Sequence, residues 1–141
     1  MLKILLPVDG SGSSTRAAHY LAAIANTTPD LEIHLLNVQP PGDDWMVRRM
    51  LKAEELAALE QDWGNAALEP ARDLLTNAGA LVKTHVTQGD IAPSIIRLAT
   101  ELGCNQIVMG SHGRTGWTGL LMGSVASKVM HLSQMPITFI K

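Results

Sequence analysis

Short apolar runs alternate along the chain with segments in which apolar residues recur every three or four positions. The runs predict five strands, at residues 2–8, 31–38, 81–86, 106–109 and 137–140. Helical spacing predicts a helix after Ser11, a long helical region over residues 44–78, a third helix opened by Gly89 and a fourth from Val125. Because proline removes a backbone hydrogen bond, Pro70 is expected to kink the long region or to divide it into two helices.

Strand and helix alternate over the whole length, and this order predicts a single α/β domain, residues 1–141. The sheet is expected to be parallel and five-stranded, with helices on both faces. Ligands of such sheets bind beyond the carboxyl ends of the strands, where the strand order reverses. The positions of interest therefore follow the strands, at Asp9, Val38, Gln88 and Gly110.

Composition and charge narrow the class of protein. Apolar residues make up 46% of the 141 residues and charged residues 17%, as in soluble globular domains. No apolar run reaches the roughly 18 residues that cross a bilayer, and the amino terminus is interpreted as a buried strand, so no membrane partner is expected. The single cysteine, Cys104, excludes an internal disulfide and favours the cytoplasm. A net charge of -2 argues against a nucleic-acid partner.

Glycine is concentrated in one segment, between strand four and helix four. Five of the 12 glycines occur there, at positions 110, 113, 116, 119 and 123, and none of the 13 acidic residues follows Glu101. Glycine lets a ligand approach the backbone without a Cβ in the way. Exposed N–H groups in such a turn and at a helix start attract anions such as phosphate. From the residues alone, a flexible surface loop that binds no ligand remains an alternative interpretation of this segment.

Two common phosphate-binding motifs are absent from the sequence. The P-loop requires glycine followed by lysine, and no glycine here precedes a lysine. The dinucleotide motif requires three glycines, but after Gly10 and Gly12 the third position holds Thr15.

The glycine segment contains the pattern Gly-x2-Gly-x9-Gly-Ser, from Gly110 to Ser124, without a gap. In this pattern the chain resembles the ATP-binding members of the universal stress protein family, whose motif is G-x2-G-x9-G-[ST]. The resemblance extends over the whole chain: residues 7–11 resemble the end of the family's first strand, and Gly89 with Asp90 opens the third helix in the usual way. It implies a Rossmann-like sheet of strand order 3-2-1-4-5.

The resemblance also implies a ligand, a set of site residues and a partner. The ligand is ATP, with any Mg or Mn bound through its phosphates. The residues that would hold the phosphates are Gly110, Gly113, Gly123 and Ser124, with Val125 and Arg114 beside them. The residues that would line the adenosine end are Pro7, Val8, Asp9, Val38 and Met109. The partner is a second copy of the chain, joined along the apolar fifth strand, residues 136–140, whose edge nothing later in the sequence covers.

The expected role is that of an ATP-binding regulatory or stress-response module. One alternative is a slow ATPase or phosphotransferase, although no catalytic residue is identified. The other is a dimeric interaction module in which ATP is only structural. The histidines show no metal-ligand spacing, so no metal site is expected, and His112 is interpreted as an exposed loop residue.

Overall fold

The computed structural model describes residues 1–41, 49–113 and 122–141. The strands are β1 (Leu2–Pro7), β2 (Leu31–Gln39), β3 (Leu81–Gln88), β4 (Gln106–Gly110) and β5 (Ile137–Ile140). The helices assigned within those ranges are α1 (Gly12–Ala25), α2 (Ala53–Asn77), α3 (Ile91–Glu101) and α4 (Ser124–Leu132).

All strand pairs are parallel, and the sheet order is β3-β2-β1-β4-β5. The predicted fold class and strand order are therefore confirmed. Alternate residues of the central strand point to opposite faces, so that Ile4 and Leu6 belong to one apolar cluster and Leu5 to the other. The first cluster lies beneath α1 and α2, and the second beneath α3 and α4. A strand covered on both faces requires the nearly continuous apolar run that residues 2–8 provide.

The ends of the helices follow local sequence signals. The Ser11 hydroxyl accepts a hydrogen bond from the Ser14 backbone N–H at 3.2 Å and caps α1. Gly79 and Gly103 follow α2 and α3 with φ values of +93° and +69°. This left-handed conformation is easily reached only by glycine, so both residues stop their helices as their positions predict.

The long helical region differs from its prediction in two ways. Of the two outcomes predicted at Pro70, the division into two helices is wrong, since α2 continues as one helix of 25 residues with Pro70 inside it. Pro70 and Ala66, whose carbonyl loses its partner, are both exposed, so water can hydrogen-bond that carbonyl. Residues 49–50 are also helical, but the region is interrupted at Leu51 and at Lys52, which is extended (φ -66°, ψ 153°), and α2 begins at Ala53. The predicted part over residues 42–48 lies outside the described residues.

Candidate functional site

A cleft of about 540 Å³, partly open to solvent, lies at the carboxyl ends of β1 and β4. β1 stands in the middle of the sheet, with β2 on one side and β4 on the other. The strand order reverses at this point, which is where doubly wound sheets bind their ligands. The sequence thus predicted the position of this cleft.

Most of the predicted site residues meet in this cleft. Those that line it are Pro7, Val8, Asp9, Val38, Met109, Gly110, Gly113 and Val125. Gly123 and Ser124 adjoin it: the Gly123 N–H donates to the Ser111 carbonyl at 2.7 Å, and Ser124 is the first residue of α4. Arg114 lies outside the described residues.

Several residues of the cleft were not predicted. They are Ser11, Ser14, Leu36, Ile91, Ile95, His112 and Ala126. Ile91 and Ile95 lie one turn apart on α3, and their spacing identified only the apolar face of a helix. The interpretation of His112 as an exposed loop residue is wrong. Its side chain is half-buried in the cleft wall, with Nδ1 2.8 Å from the Ser111 hydroxyl.

The start of α1 is bonded to the segment that follows β4. The Ser13 hydroxyl donates to the His112 carbonyl and accepts from the His112 backbone N–H at 3.3 Å. The Ser11 hydroxyl also lies 3.3 Å from the same carbonyl. Ser13 is buried, so these bonds are shielded from water and fix the distance between two walls of the cleft.

The reason for glycine at position 110 is packing against α1. A Cβ at this position would clash with the Ser13 hydroxyl and lie only 2.8 Å from the Ser14 backbone nitrogen. The expectation that Gly110 serves the phosphates therefore has a competing structural explanation. Without a side chain, β4 and the start of α1 can approach each other, and the cleft forms along their junction.

Asp9 and Gly113 both line the cleft and lie close to each other. The Asp9 Oδ1 accepts a hydrogen bond from the Ser11 backbone N–H at 2.8 Å, which fixes the carboxylate in the turn between β1 and α1. A Cβ built on Gly113 would lie 3.4 Å from the Asp9 Oδ2. A larger side chain at position 113 would therefore project toward the carboxylate and narrow the cleft.

The cleft combines apolar walls with a helix amino terminus. Leu36, Val38, Ile95 and Met109 supply apolar surface. The helix α4 begins beside it with Gly123 as N-cap, and no side chain among the described residues satisfies the cap. The first N–H groups of a helix carry partial positive charge and have no partner within the helix, so this end suits an anion.

A second polar cluster lies away from the cleft, between β2 and β3. The buried His34 places Nε2 2.6 Å from the Glu32 Oε1 and Nδ1 2.9 Å from the His85 Nε2. Lys83 lies 3.6 Å from the same Glu32 oxygen. In the part of the chain that the structure describes, no three His, Cys, Asp or Glu side chains are arranged to hold a metal ion.

Burial and neighbouring charges set the acid–base behaviour of this cluster. Burial lowers the pKa of His85, and the nearby His34 and Lys83 lower it further. Burial alone would raise the pKa of Glu32. The hydrogen bond from His34 and the charges of Lys83, His34 and Lys3 outweigh that effect, so the pKa of Glu32 lies below its usual value.

Together the fold and the site define a doubly wound α/β domain with a small-molecule cleft at its switch point. The model of the universal stress protein family matches residues 1–141. The chain belongs to this family.

Two relatives illustrate the similarity. Universal stress protein MJ0531 of Methanocaldococcus jannaschii is 29% identical over 148 aligned positions, which cover 99% of this chain and 81% of that protein. The solved structure of MJ0577, from the same organism, is 28% identical with a TM-score of 0.87, over 99% of this chain and 95% of that one. Of the helices described for the present chain, none is long and apolar enough to cross a membrane.

Three more distant solved structures share the fold and hold adenine nucleotides. An Arabidopsis thaliana family member with AMP bound is 20% identical, with a TM-score of 0.72 over 100% of this chain and 92% of that one. The Archaeoglobus fulgidus protein in complex with dAMP is 22% identical, with a TM-score of 0.69 over 100% and 98%. A universal stress protein in complex with cAMP is 23% identical, with a TM-score of 0.68 over 99% and 95%.

Proposed function

We propose that this protein binds an adenine nucleotide, and ATP in particular, in the cleft at the carboxyl ends of β1 and β4. The observation that carries the proposal is the composition of the cleft. Its apolar residues suit a planar base, and the adjoining start of α4 suits phosphate. The AMP, dAMP and cAMP complexes of the more distant relatives support the same ligand class.

The preference for ATP rests on the glycine pattern from Gly110 to Ser124. Gly113 and Val125 line the cleft, while Gly123 and Ser124 lie at the adjoining helix start. In this proposal the triphosphate extends along these residues, and Arg114 adds charge-assisted contacts. Any Mg or Mn arrives with the nucleotide, bound through its phosphates.

The proposed role is that of a cytoplasmic regulatory module whose nucleotide-bound state carries the signal. The cytoplasm is proposed because the one cysteine of the sequence, half-buried Cys104, requires no oxidising compartment. The nucleotide-bound form is proposed to be a homodimer joined along β5.

Titration calorimetry with ATP and Gly113→Val tests the site. A valine at position 113 would direct its methyl groups toward Asp9, across the space that the nucleotide needs. We expect wild-type protein to bind ATP and Gly113→Val to lose at least tenfold in affinity, or about 1.4 kcal/mol. A substitution at Gly123 would be a less specific test of ligand binding. A Cβ there would lie 3.3 Å from backbone atoms of residues 111–113 and would disturb the loop itself.

The matched control is Ala58→Leu, which adds the same three carbons on the exposed side of α2. This variant should bind ATP like the wild type. If Gly113→Val stays folded by circular dichroism and binds ATP with unchanged affinity, the nucleotide does not occupy this cleft.

A further inference from the structure

We propose that Asn37 and Gln39 are positioning residues for the base and sugar end of the cleft. Their side-chain amides form a hydrogen-bonded chain that fixes Val8 against β2. In this way they set the affinity for the adenosine part of the ligand without touching it. The inference rests on the proposed nucleotide function.

Asn37 holds the segment in which β1 leaves the sheet. Its Nδ2 donates to the Val8 carbonyl at 2.9 Å, and the Val8 N–H donates to the Leu36 carbonyl at 2.8 Å. Both backbone polar groups of Val8 are therefore bonded to β2. Val8 lines the cleft and is followed at once by Asp9, so the position of this wall depends on the Asn37 amide.

The direction of both amides is determined by the Val8 carbonyl, which can only accept. Asn37 must present its NH₂ group to Val8, which leaves its Oδ1 facing Gln39. The Gln39 Nε2 donates to that oxygen at 2.5 Å. Each amide thus has one orientation, and Gln39 prevents the Asn37 side chain from turning over.

Asn37 and Gln39 also connect two further walls of the cleft. Val38 lies between them in sequence and points to the opposite face of the sheet, where it lines the cleft. The Gln39 carbonyl accepts from the Gly89 N–H at 3.1 Å, at the start of the segment that leads into α3 and its cleft residue Ile91. One chain of hydrogen bonds therefore connects the walls contributed by β1, β2 and α3.

Packing alone does not explain an amide at position 37. Asn37 is only 6% exposed and lies on the same face of β2 as Ile33 and Leu35, both part of an apolar cluster. An apolar side chain would fill such a place, since a buried amide is unfavourable unless it is hydrogen-bonded. The polar residue occurs at the end of β2 that borders the cleft, where the Val8 carbonyl needs a donor.

The test measures the affinities for ATP, adenosine and inorganic triphosphate by calorimetry and compares the wild-type protein with Asn37→Leu. Leucine has nearly the shape of asparagine but cannot donate to Val8. We expect ATP and adenosine to bind on the order of tenfold more weakly, the effect of one displaced hydrogen bond. Binding of inorganic triphosphate should change least, because the side-chain hydrogen bonds described for Asn37 lead to Val8 and Gln39 and none leads directly to Gly113, Gly123 or α4.

Ile33→Val is the control for a general loss of stability. It alters a buried side chain on the same strand and face, far from the cleft, and should leave all three affinities unchanged. If Asn37→Leu does not fold, Gln39→Leu removes only the donor to Asn37 and should weaken ATP and adenosine in the same direction, by about threefold.

The outcomes separate the two proposals. If wild-type protein binds no adenine nucleotide, the proposed function fails and this inference fails with it. If wild-type protein binds ATP but Asn37→Leu binds it equally well, only the positioning role is overturned. If Asn37→Leu weakened the binding of adenosine and of inorganic triphosphate equally, the positioning role would also be overturned, because Asn37 would then support the domain as a whole.

Discussion

At the scale of single residues, the described glycines between Gly110 and Gly123 serve different purposes. Gly110 makes room for Ser13 at the start of α1. Gly113 leaves open the space in front of Asp9, and Gly123 packs against the backbone of residues 111–113. Gly123 has a φ of -63°, which any residue can adopt, so close approach explains this glycine and left-handed backbone does not. A substitution at Gly110 would therefore report on folding, whereas one at Gly113 would report on the ligand.

The lowered pKa of His85 predicts a loss of stability in mild acid. An unfolded chain protonates His85 near its ordinary pKa of about 6.5, whereas the folded chain resists protonation until a lower pH. Below the ordinary value the unfolded state therefore binds more protons, and the free energy of unfolding falls as the pH drops toward the folded pKa. Above that window this contribution to stability is fully present.

Urea unfolding of wild type and His85→Gln between pH 8 and pH 5 measures this effect. The variant should lose less stability over that range, because glutamine can hydrogen-bond to His34 but does not titrate. In the control His131→Gln, which changes an exposed histidine on α4, the free energy of unfolding should change with pH as it does in the wild type. If the free energy of unfolding falls equally with pH in the wild type and in His85→Gln, His85 makes no difference to acid stability.

At the scale of elements, the fit between α2 and β3 depends on Gly64. A Cβ at this buried position would lie 2.7 Å from the Val86 Cγ2. Gly64→Ala should lower the free energy of unfolding by about 1–2 kcal/mol, since overpacking outweighs the gain of roughly 1 kcal/mol in helix propensity. In Gly64→Ala with Val86→Ala the clash with the two Cγ atoms is removed and only a tight 3.1 Å contact with the Cβ of residue 86 remains, so the two substitutions should show a favourable coupling in a double-mutant cycle. Additive effects in urea unfolding would contradict the close contact.

Local signals predicted the elements well, and the failures have identifiable physical causes. Gly79 and Gly103 mark helix ends because their backbone conformation is local. Of the two outcomes predicted at Pro70, a division into two helices is wrong, because solvent exposure, which the sequence spacing does not give, decides whether the lost hydrogen bond can be replaced. The bonding of His34 to His85 was not predicted, because it depends on the β2–β3 register, in which Leu36 is the partner of His85.

At the scale of the whole molecule, β5 forms one edge of the sheet and predicts a dimer. Ile137 and Phe139 pack with one apolar cluster and Ile140 with the other, and all remain half-exposed in the single chain. The Pro136 carbonyl accepts from the Ile107 N–H and the Ile140 carbonyl from the Ser111 N–H, just after β4. The backbone groups of Ile137 and Phe139 therefore point to the open edge. Such an edge pairs readily with a second strand.

Light scattering should give twice the chain mass of 15.1 kDa for the wild type. Phe139→Lys, which places like charges together at the proposed two-fold interface, should give the mass of one chain. Leu81→Lys, on the opposite edge of the sheet, should remain a dimer. A monomeric wild type at micromolar concentration would exclude the β5 interface.

ATP turnover should be absent or far below the roughly 1–100 per second of typical kinases. In sequence no acidic residue follows Glu101 that could orient a water molecule beside the glycine segment. Backbone donors stabilise the bound phosphate and the transition state alike, which tightens binding without raising the rate. A phosphate-release assay at saturating ATP and magnesium measures the rate. A rate in the kinase range that Ser124→Ala abolishes and Ala58→Leu retains would establish an enzyme instead.

The bond between Ser13 and the His112 carbonyl joins residues 99 positions apart in the chain. Contacts over such distances form late in folding, because a long loop must close before they contribute any stability. During synthesis these two walls of the cleft can therefore meet only after His112 has been added to the chain. A molecule that needs both walls binds only a chain that extends at least that far, so its binding distinguishes such chains from shorter nascent ones.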